Sequence, residues 1–320
     1  MASASGERSE IGEVRFRHDA LFYEGLPGFL DRTGGFLHDA IRAEEPILVV
    51  VSAEKIALLR EHVGPNELVA FADMAEVGRN PARIIPAWRS FVSAWSGGGV
   101  RFRGIGEPIS AARTPDELVE CERHEALLNL AFADAPAWWL ACPYDVASLP
   151  DEVLVEAERN HPHVIDGAGR HESVGYRGLA DVARPFASPL PEPSAAPVAF
   201  PFDGDADELR SIRGRVAASA TAFGLDPARV DDLVLTVSEV VTNSIRHGGG
   251  RGVLRIWAQD AALICEIRDA GRIRDPLVGR GRPTPDRASG FGLWLANQLC
   301  DLVQIRTLED GSVVRLHVCG

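Results

Sequence analysis

Several features that would assign this chain to a common class are scarce or absent. Of the 33 basic residues only Lys55 is a lysine, and the net charge of −13 argues against nucleic acid as the main partner. No apolar run approaches the ~20 residues that a membrane helix needs, and the polar N-terminus has no signal peptide. We therefore expect a cytoplasmic protein that does not contact membranes.

Two further kinds of site are not expected. The five cysteines contain no CxxC pair, which favours buried, reduced thiols over a structural zinc site. A GxxxxGK[ST] phosphate loop is also missing, because Lys55 is not preceded by glycines. What remains is an ordinary soluble composition, with 46% apolar and 25% charged residues, and a length of 320 residues that predicts about two domains.

The most informative stretch is Ser238–Gly248. Apolar residues recur at steps of three and four through its start, at Val230, Leu233, Val234, Val237 and Val241, which predicts an amphipathic helix with its apolar side inward. Thr236, Glu239, Asn243 and His247 form a second stripe on another face of the same helix. A carboxylate and a carboxamide one turn apart offer the hard oxygen ligands that magnesium prefers.

Two later segments complete the pattern. Ala262–Asp269 alternates like a half-buried strand that delivers the Asp269 carboxylate at its end, where Gly271 permits a tight turn. Two glycines then open an apolar helix, in the motif Gly290-Phe291-Gly292-Leu293. Glycines at a helix start let phosphate approach the bare backbone amides. The order of the three segments is typical of a nucleotide site.

These segments resemble the N, G1 and G2 boxes of the GHKL ATPases, and most closely the compact anti-sigma-factor serine kinases of bacteria. The resemblance covers about residues 198–320 and implies an α+β sandwich that binds ATP and magnesium. It implies that Asn243 holds the magnesium ion, that Glu239 is the general base and that Asp269 receives the adenine amino group. The residues expected to bind ATP are Asn243, His247, Asp269, Gly271, Gly290, Phe291, Gly292 and Leu293.

The first half of the chain alternates between helices and strands from Phe16 onward, which predicts an α/β domain with a mostly parallel sheet and helices on both faces. Polar residues stand at the carboxyl ends of its strands, namely Ser52, Asp73, Glu107 and Asp145. Ligands bind at that edge of open α/β sheets, but the same residue types also cap the helices that follow.

Three segments of this half, His18–Gly25, Glu122–Glu125 and Cys142–Asp145, resemble the MEDS sensory domain. The similarity spans about residues 15–165 and implies a degenerate RecA-like sensor fold without naming its ligand. His124, within the second segment, is the one candidate for a phosphoacceptor histidine, although a structural role fits it better.

The chain between the two halves has a different composition. His161, His163 and His171 are interpreted as solvated loop histidines, and five prolines between Pro185 and Pro197 predict a semi-extended linker. The predicted organisation is a flexible N-terminus at 1–14, a sensory domain at 15–165, a linker at 166–197 and an ATPase domain at 198–320. Within the last domain, residues 272–289 are expected to form a mobile lid, and Asp310-Gly311 to form a two-residue hairpin turn.

The sequence thus predicts a regulatory protein kinase. It would phosphorylate a serine or threonine of an anti-anti-sigma partner of the STAS type, sequester a sigma factor, or do both, and it is compatible with a homodimer. Two alternatives stay open: a module that binds ATP and a partner without phosphotransfer, and an atypical sensor histidine kinase that uses His124. Helix 208–222, just before the N box, contains no histidine, which disfavours the latter.

Overall fold

A computed structural model describes residues 16–97, 99–181, 188–283 and 290–320. Its strands form two sheets, one of seven strands and one of five. Within these ranges no helix has the length and apolar character needed to cross a membrane. The predicted flexible N-terminus lies outside the described residues.

The first sheet is mostly parallel. Its strands are β1 (Phe16–Tyr23), β2 (Ile47–Val51), β3 (Val69–Asp73), β4 (Phe102–Gly106), β5 (Trp138–Asp145), β6 (His163–Asp166) and β7 (Gly169–Glu172), in the spatial order β3-β2-β4-β5-β1-β6-β7. The pairing of β6 with β7 is antiparallel, whereas the other described pairs are parallel. The helices of this half are α1 (Gly25–Arg42), α2 (Ala53–Val63), α3 (Met74–Val77), α4 (Ile84–Trp95), α5 (Pro115–Ala131) and α6 (Asp151–Asn160), with a short 3-10 helix at Pro81–Arg83.

This sheet is buried on both faces. Val50 of β2 belongs to the core that contains Trp88 of α4, whereas its neighbours Val49 and Val51 belong to the core that contains Leu37 of α1. Successive residues of a strand point to opposite faces, so helices must cover both sides of the sheet. The predicted α/β class with a mostly parallel sheet is confirmed.

Residues 161–172 differ from the loop that the sequence predicted. β6 extends the sheet by pairing with β1, and β7 folds back on it as a hairpin. The prediction that His161 is solvated is wrong: its side chain is 0% exposed. It follows the last residue of α6 and turns inward, where its ring lies 4.1 Å from the ring of His18. His163 and His171 keep partial exposure.

The second sheet is antiparallel. Its strands are β8 (Val198–Phe202), β9 (Gly252–Gln259), β10 (Ala262–Asp269), β11 (Leu302–Leu308) and β12 (Gly311–Cys319), in the order β11-β12-β10-β9-β8. Three helices accompany it, α7 (Ala206–Phe223), α8 (Pro227–His247) and α9 (Phe291–Leu299). Val216, Val237 and Ala296, one from each helix, share a single core with strand residues Leu254 and Cys265. The helices therefore lie on one face, as in an α+β sandwich.

The other face of this sheet is covered by the proline-rich segment. Glu266, in the centre of the sheet, forms ion pairs with Arg255 and Arg315 at 2.9 and 2.7 Å. Arg315 also donates to the carbonyl of Pro191, and Arg255 pairs with Glu192 at 3.0 Å. Pro191 and Glu192 are thus attached to the sheet rather than spanning freely between domains, because three arginines from the sheet contact them.

The hairpin between β11 and β12 is shifted by one residue from the predicted turn. Leu308 pairs with Gly311, so the two turn residues are Glu309 and Asp310. Gly311 is the first residue of β12 and has φ 151°. A Cβ atom there would lie 1.9 Å from the carbonyl oxygen of Asp269. The glycine is needed for this close approach of two strands and not for the turn itself.

Buried polar contacts connect the two halves. Glu120 of α5 accepts from Arg306 of β11 at 2.7 Å, and both side chains are at most 3% exposed. Asn80, before the 3-10 helix, donates to the backbone carbonyl of Asn297 in α9 at 3.2 Å. The N-terminal half therefore contacts both the edge strand β11 and the helix α9 of the second half.

Candidate functional site

A cavity of about 740 Å³ opens where the C-terminal turns of α8, the end of β10 and the start of α9 meet. This volume lies within the range of small-molecule sites in proteins. All the site residues predicted from the sequence line it. They are Glu239, Asn243, His247, Asp269, Gly271, Gly290, Phe291, Gly292 and Leu293.

Helix α8 places two polar side chains on the cavity wall. Asp226 caps its N-terminus by accepting from Arg229 N at 3.0 Å, and Pro227 occupies the first turn. Glu239 and Asn243 are half-buried and, within the described part of the chain, their side chains make no intramolecular hydrogen bond. Four residues apart on one helix face, both side chains are available to a ligand.

Thr236 was expected in the same stripe and is not part of the cavity. Its side chain is buried, and its hydroxyl donates to the carbonyl of Asp232 at 2.7 Å. A threonine that returns its hydrogen bond to the preceding turn stays within its own helix. The polar wall of the cavity therefore begins at Glu239.

Asp269, at the end of β10, is held by two donors. Ser244 Oγ donates to its Oδ2 at 2.5 Å, and the Gly271 amide donates to its Oδ1 at 2.7 Å. A carboxylate has about four lone-pair positions, so these two bonds orient the group and leave capacity for a ligand donor. Ser312 supports the turn, because its hydroxyl donates to the Gly271 carbonyl at 2.8 Å.

The start of α9 faces the polar wall of α8. Gly290 precedes the helix with φ 94° and makes no side-chain cap, so the first-turn amides have no partner within the helix. A Cβ atom on Gly292 would lie 2.8 Å from Asn243 Nδ2 and 3.1 Å from Glu239 Cβ. The glycine thus brings bare backbone next to both polar side chains. Free amides at the positive end of a helix favour a phosphate group.

Sequence reasoning missed several cavity residues. Ser244 and Ser312 orient Asp269 and its turn, as described above. Arg246 and Arg274 add exposed guanidinium groups to the rim of the cavity. Ser244 and Arg246 lie within the recognised Ser238–Gly248 stretch and could have been found from it. Arg274 lies within the predicted lid segment 272–289, whereas Ser312 lies outside the motifs and its position follows only from the fold.

The donor set fits a magnesium nucleotide. Asn243 and Glu239 supply oxygen atoms next to the free amides of α9, and Asp269 supplies a further acceptor in the cavity lining. Magnesium takes one or two protein oxygens and completes its shell with phosphate and water. The lining therefore suits a ligand that carries both a hydrogen-bond donor and a charged phosphate chain.

Comparison with known proteins agrees with this geometry. Residues 202–318 match the model of the histidine kinase-like ATPase domain. Over 115 residues the chain is 32% identical to the anti-sigma F factor of Clostridium acetobutylicum, covering 32% of this chain and 78% of that protein. The chain belongs to the anti-sigma factor family.

Residues 17–162 match the MEDS domain, the methanogen/methylotroph DcmR sensory domain. The chain is therefore a MEDS domain followed by an anti-sigma-factor ATPase domain. Among solved structures, the RsbU and RsbW domains of Rv1364c from Mycobacterium tuberculosis show 19% identity and a TM-score of 0.30. That match covers 39% of this chain and 32% of the other, and a TM-score this low supports no argument.

The strand ends of the MEDS domain are occupied by internal contacts. Ser52 and Asp73 cap α2 and α3, and Asp145 accepts from the Gly25 amide at 3.0 Å. Glu107 is buried and accepts from Lys55 at 2.7 Å and from the Tyr23 hydroxyl at 2.5 Å. Helix capping and ion pairing account for these four residues.

His124 is buried at 1% exposure in α5 of the MEDS domain. Burial lowers the pKa of this imidazole to about 3. A phosphoacceptor histidine must reach the γ-phosphate, so α5 would have to leave the domain for His124 to act. The structural interpretation of His124 fits its surroundings in this anti-sigma factor family member.

Proposed function

We propose that the protein is an ATP- and magnesium-dependent kinase of the anti-sigma factor type that phosphorylates a serine or threonine of an anti-anti-sigma partner. The observation that carries the proposal is a cavity that Glu239 and Asn243 line together with the free amides at Gly292 and the Asp269 carboxylate. The similarity to an anti-sigma F factor supports the class of partner. A sigma factor is the second partner that this similarity suggests.

The adenine end of the site is proposed at Asp269. Its two oxygens are oriented by Ser244 and Gly271 and retain lone pairs for the amino group of adenine. Ile273 and Val278 line the same cavity and offer apolar surface to a flat ring. An acceptor that the bound ligand covers and pairs with its own donor gives strong discrimination against purines that lack the amino group.

The phosphate end is proposed between α8 and α9. Asn243 would hold the magnesium ion, and Gly290 and Gly292 would present backbone amides to the phosphates. The ion would offset negative charge on the phosphate oxygens. Arg246 and Arg274 add positive charge on the cavity rim, while His247 and Phe291 lie at its exposed border.

Glu239 is proposed as the general base. It stands one turn from Asn243, and a Cβ atom on Gly292 would lie 3.4 Å from its Oε2. From this position its carboxylate faces the site of the phosphate chain and can accept the proton of an incoming hydroxyl. General-base catalysis is typically worth about 10²–10⁴-fold in rate.

We further propose that residues 15–165 are a RecA-like sensory domain that controls residues 198–320. The two domains contact each other through residues 279–280, which follow the cavity residue Val278. Asn297 of α9 donates to the Gly279 carbonyl at 2.9 Å, and the next residue, Arg280, is buried 3.7 Å from Glu120. A change in the sensory domain can therefore alter both α9 and the segment 275–280. Residues 284–289 of the predicted lid lie outside the described residues.

The test uses the full-length protein and partners captured from the native host. After incubation with γ-labelled ATP, we expect acid-stable phosphate on a serine or threonine of a captured partner. Glu239→Gln should keep ATP binding and lose transfer by about 10²–10⁴-fold. Asp231→Asn, an exposed carboxylate on the same helix, is the matched control and should transfer normally.

Two outcomes would contradict the proposal. Acid-labile phosphate on His124 would make the protein a histidine kinase. ATP-dependent capture of a partner without any phosphotransfer would make it a docking module, and in that case Glu239→Gln would behave like the parent protein.

A further inference from the structure

Four side chains that could ligate a metal ion meet inside the N-terminal domain. They are His18 of β1, Glu125 of α5, Cys142 of β5 and His161, the residue that follows α6. Each residue offers one atom that could ligate a metal ion, these four atoms lie within 4.8 Å of one another, and all four residues are buried. Each of the four comes from a different structural element, so this cluster joins the sheet to two helices.

The hydrogen bond at Nδ1 of each histidine determines which of its two ring nitrogens carries the hydrogen. His161 Nδ1 lies 2.7 Å from the Ala157 carbonyl, which can only accept, so this nitrogen is the donor. Asn129 donates its Nδ2 to the Asn160 carbonyl at 2.7 Å, which turns its Oδ1 toward His18. His18 Nδ1 therefore donates to Asn129 Oδ1, at 3.1 Å. In their neutral forms both rings have a bare lone pair on Nε2.

These two lone pairs converge on a carboxylate. His18 Nε2 lies 3.1 Å and His161 Nε2 lies 3.3 Å from the same Oε2 of Glu125. Among the residues that the structure describes, His161 Nε2 and Glu125 Oε1 have no hydrogen-bond partner, although both atoms are buried. Cys142 Sγ lies 3.4 Å from His18 Nε2. The two Nε2 lone pairs and the Glu125 carboxylate are acceptors that face one another in a buried site, and a cation between them would satisfy all three.

We propose that this cluster is a binding site for a divalent transition metal ion, with zinc as the best match. In a tetrahedral zinc site with the usual bond lengths, neighbouring ligand atoms are about 3.3–3.6 Å apart. Three of the separations here are 3.1, 3.3 and 3.4 Å, and all of them are within 4.8 Å. On binding, the Cys142 thiol releases its proton to solvent. The thiolate and the Glu125 carboxylate then balance the two charges of the ion, which makes the buried site neutral.

The surroundings are those of a structural or regulatory site. Four protein ligands leave no open position for a substrate. The Nδ1 hydrogen bonds to Asn129 and Ala157 fix the ring orientations, as contacts behind metal ligands generally do. The motifs that resemble the MEDS domain contain His18, Glu125 and Cys142, whereas His161 lies beyond them. Because the ligands are not in a CxxC pattern, the sequence argued against zinc.

The experiment measures metal in the full-length protein. The purified protein is stripped with a chelator and titrated with Zn²⁺ and with Co²⁺, and bound metal is determined by mass spectrometry. We expect one ion per chain and a thiolate-to-cobalt charge-transfer band. Cys142→Ser and His161→Gln should weaken zinc binding by at least about 100-fold, and Cys142→Ser should abolish the band. Cys121→Ser, a buried thiol on α5 outside the cluster, is the matched control.

The parent protein alone also decides the question, should a variant fail to fold. Chelation should lower its melting temperature, and Zn²⁺ should restore it. The proposal is overturned if the parent takes up no stoichiometric zinc or cobalt and melts at one temperature with or without the chelator. In that case the cation is a proton shared by His18 and Glu125, visible as an imidazolium in nitrogen NMR spectra. Uptake that is unchanged in Cys142→Ser would overturn it as well.

Discussion

Replacing Glu120 by glutamine should loosen the contact between the two halves of the protein. This carboxylate is 1% exposed and forms ion pairs with three guanidinium groups. It lies 2.7 Å from Arg306, 3.5 Å from Arg123 and 3.7 Å from Arg280. Burial, together with the nearby Arg123, already lowers the pKa of Arg280 to about 9. Without Glu120, the three arginines would share a buried site without their common counter-charge.

Breaking a buried ion pair by removing one partner costs about 3–5 kcal/mol. Because Glu120 and Arg306 belong to different halves, we expect most of this cost to fall on the contact between them. The population of molecules in which the two halves have separated should then rise by about 10²–10³-fold. The carboxamide keeps the shape of the side chain and can still accept one hydrogen bond, so α5 itself should remain folded.

Hydrogen exchange measures this opening directly. β11 is an edge strand whose Ile305 carbonyl accepts from Arg123 at 2.8 Å, so its amides lie at the contact. We expect faster exchange in residues 302–308 and 279–280 of Glu120→Gln, and no change in Glu61→Gln, which alters an exposed carboxylate of α2. Exchange equal to that of the parent protein would refute the reasoning, since the buried charges would then contribute nothing to docking.

Two further predictions concern recognition and pH. Asp269→Asn should weaken ATP binding by at least about tenfold, because an amide can present a donor to the adenine amino group; calorimetry that finds parental affinity would move the adenine elsewhere. Burial lowers the pKa of His317 to about 4, so the unfolded chain, with a pKa near 6.5, takes up the proton first as the pH falls. Between pH 7 and pH 5, protonation of this histidine in the unfolded chain should lower the free energy of unfolding by about 2 kcal/mol. Denaturant titrations at several pH values measure this decrease, and His317→Gln should remove it. If the free energy of unfolding depends on pH in the same way in the variant and the parent, His317 takes up its proton in the folded protein. The charged groups that act on His317 are Asp116, Arg315, Glu120 and Glu117.

The ATPase half could be predicted closely because its site is built from local patterns. Glu239 and Asn243 are one turn apart on a helix with clear caps, and Asp269 ends a strand of regular alternation. The hairpin turn was misplaced by one residue, because Gly311 is required by the nearby backbone of Asp269 and not by turn geometry. A contact between strands far apart in sequence cannot be inferred from a dipeptide.

The relation between the halves could not be predicted. Glu120 and Arg306 are separated by 186 positions in the sequence. Each residue alone would be predicted to be an ordinary charged residue on the surface. His161 shows the same limit, because its burial depends on α6 ending beside β1. Charged and ligating residues that meet through tertiary contacts leave no periodic signal in the sequence.

The central claim is that the cavity binds ATP with magnesium through Asn243, and calorimetry on the full-length protein tests it most directly. The account predicts that the parent binds ATP more tightly with Mg²⁺ than without it. Asn243→Ala should lose this magnesium-dependent gain, whereas Thr242→Ala, its neighbour on α8, should keep it because the Thr242 hydroxyl is bonded to the Ser238 carbonyl. An Asn243→Ala variant that binds magnesium and ATP as tightly as the parent would contradict the account.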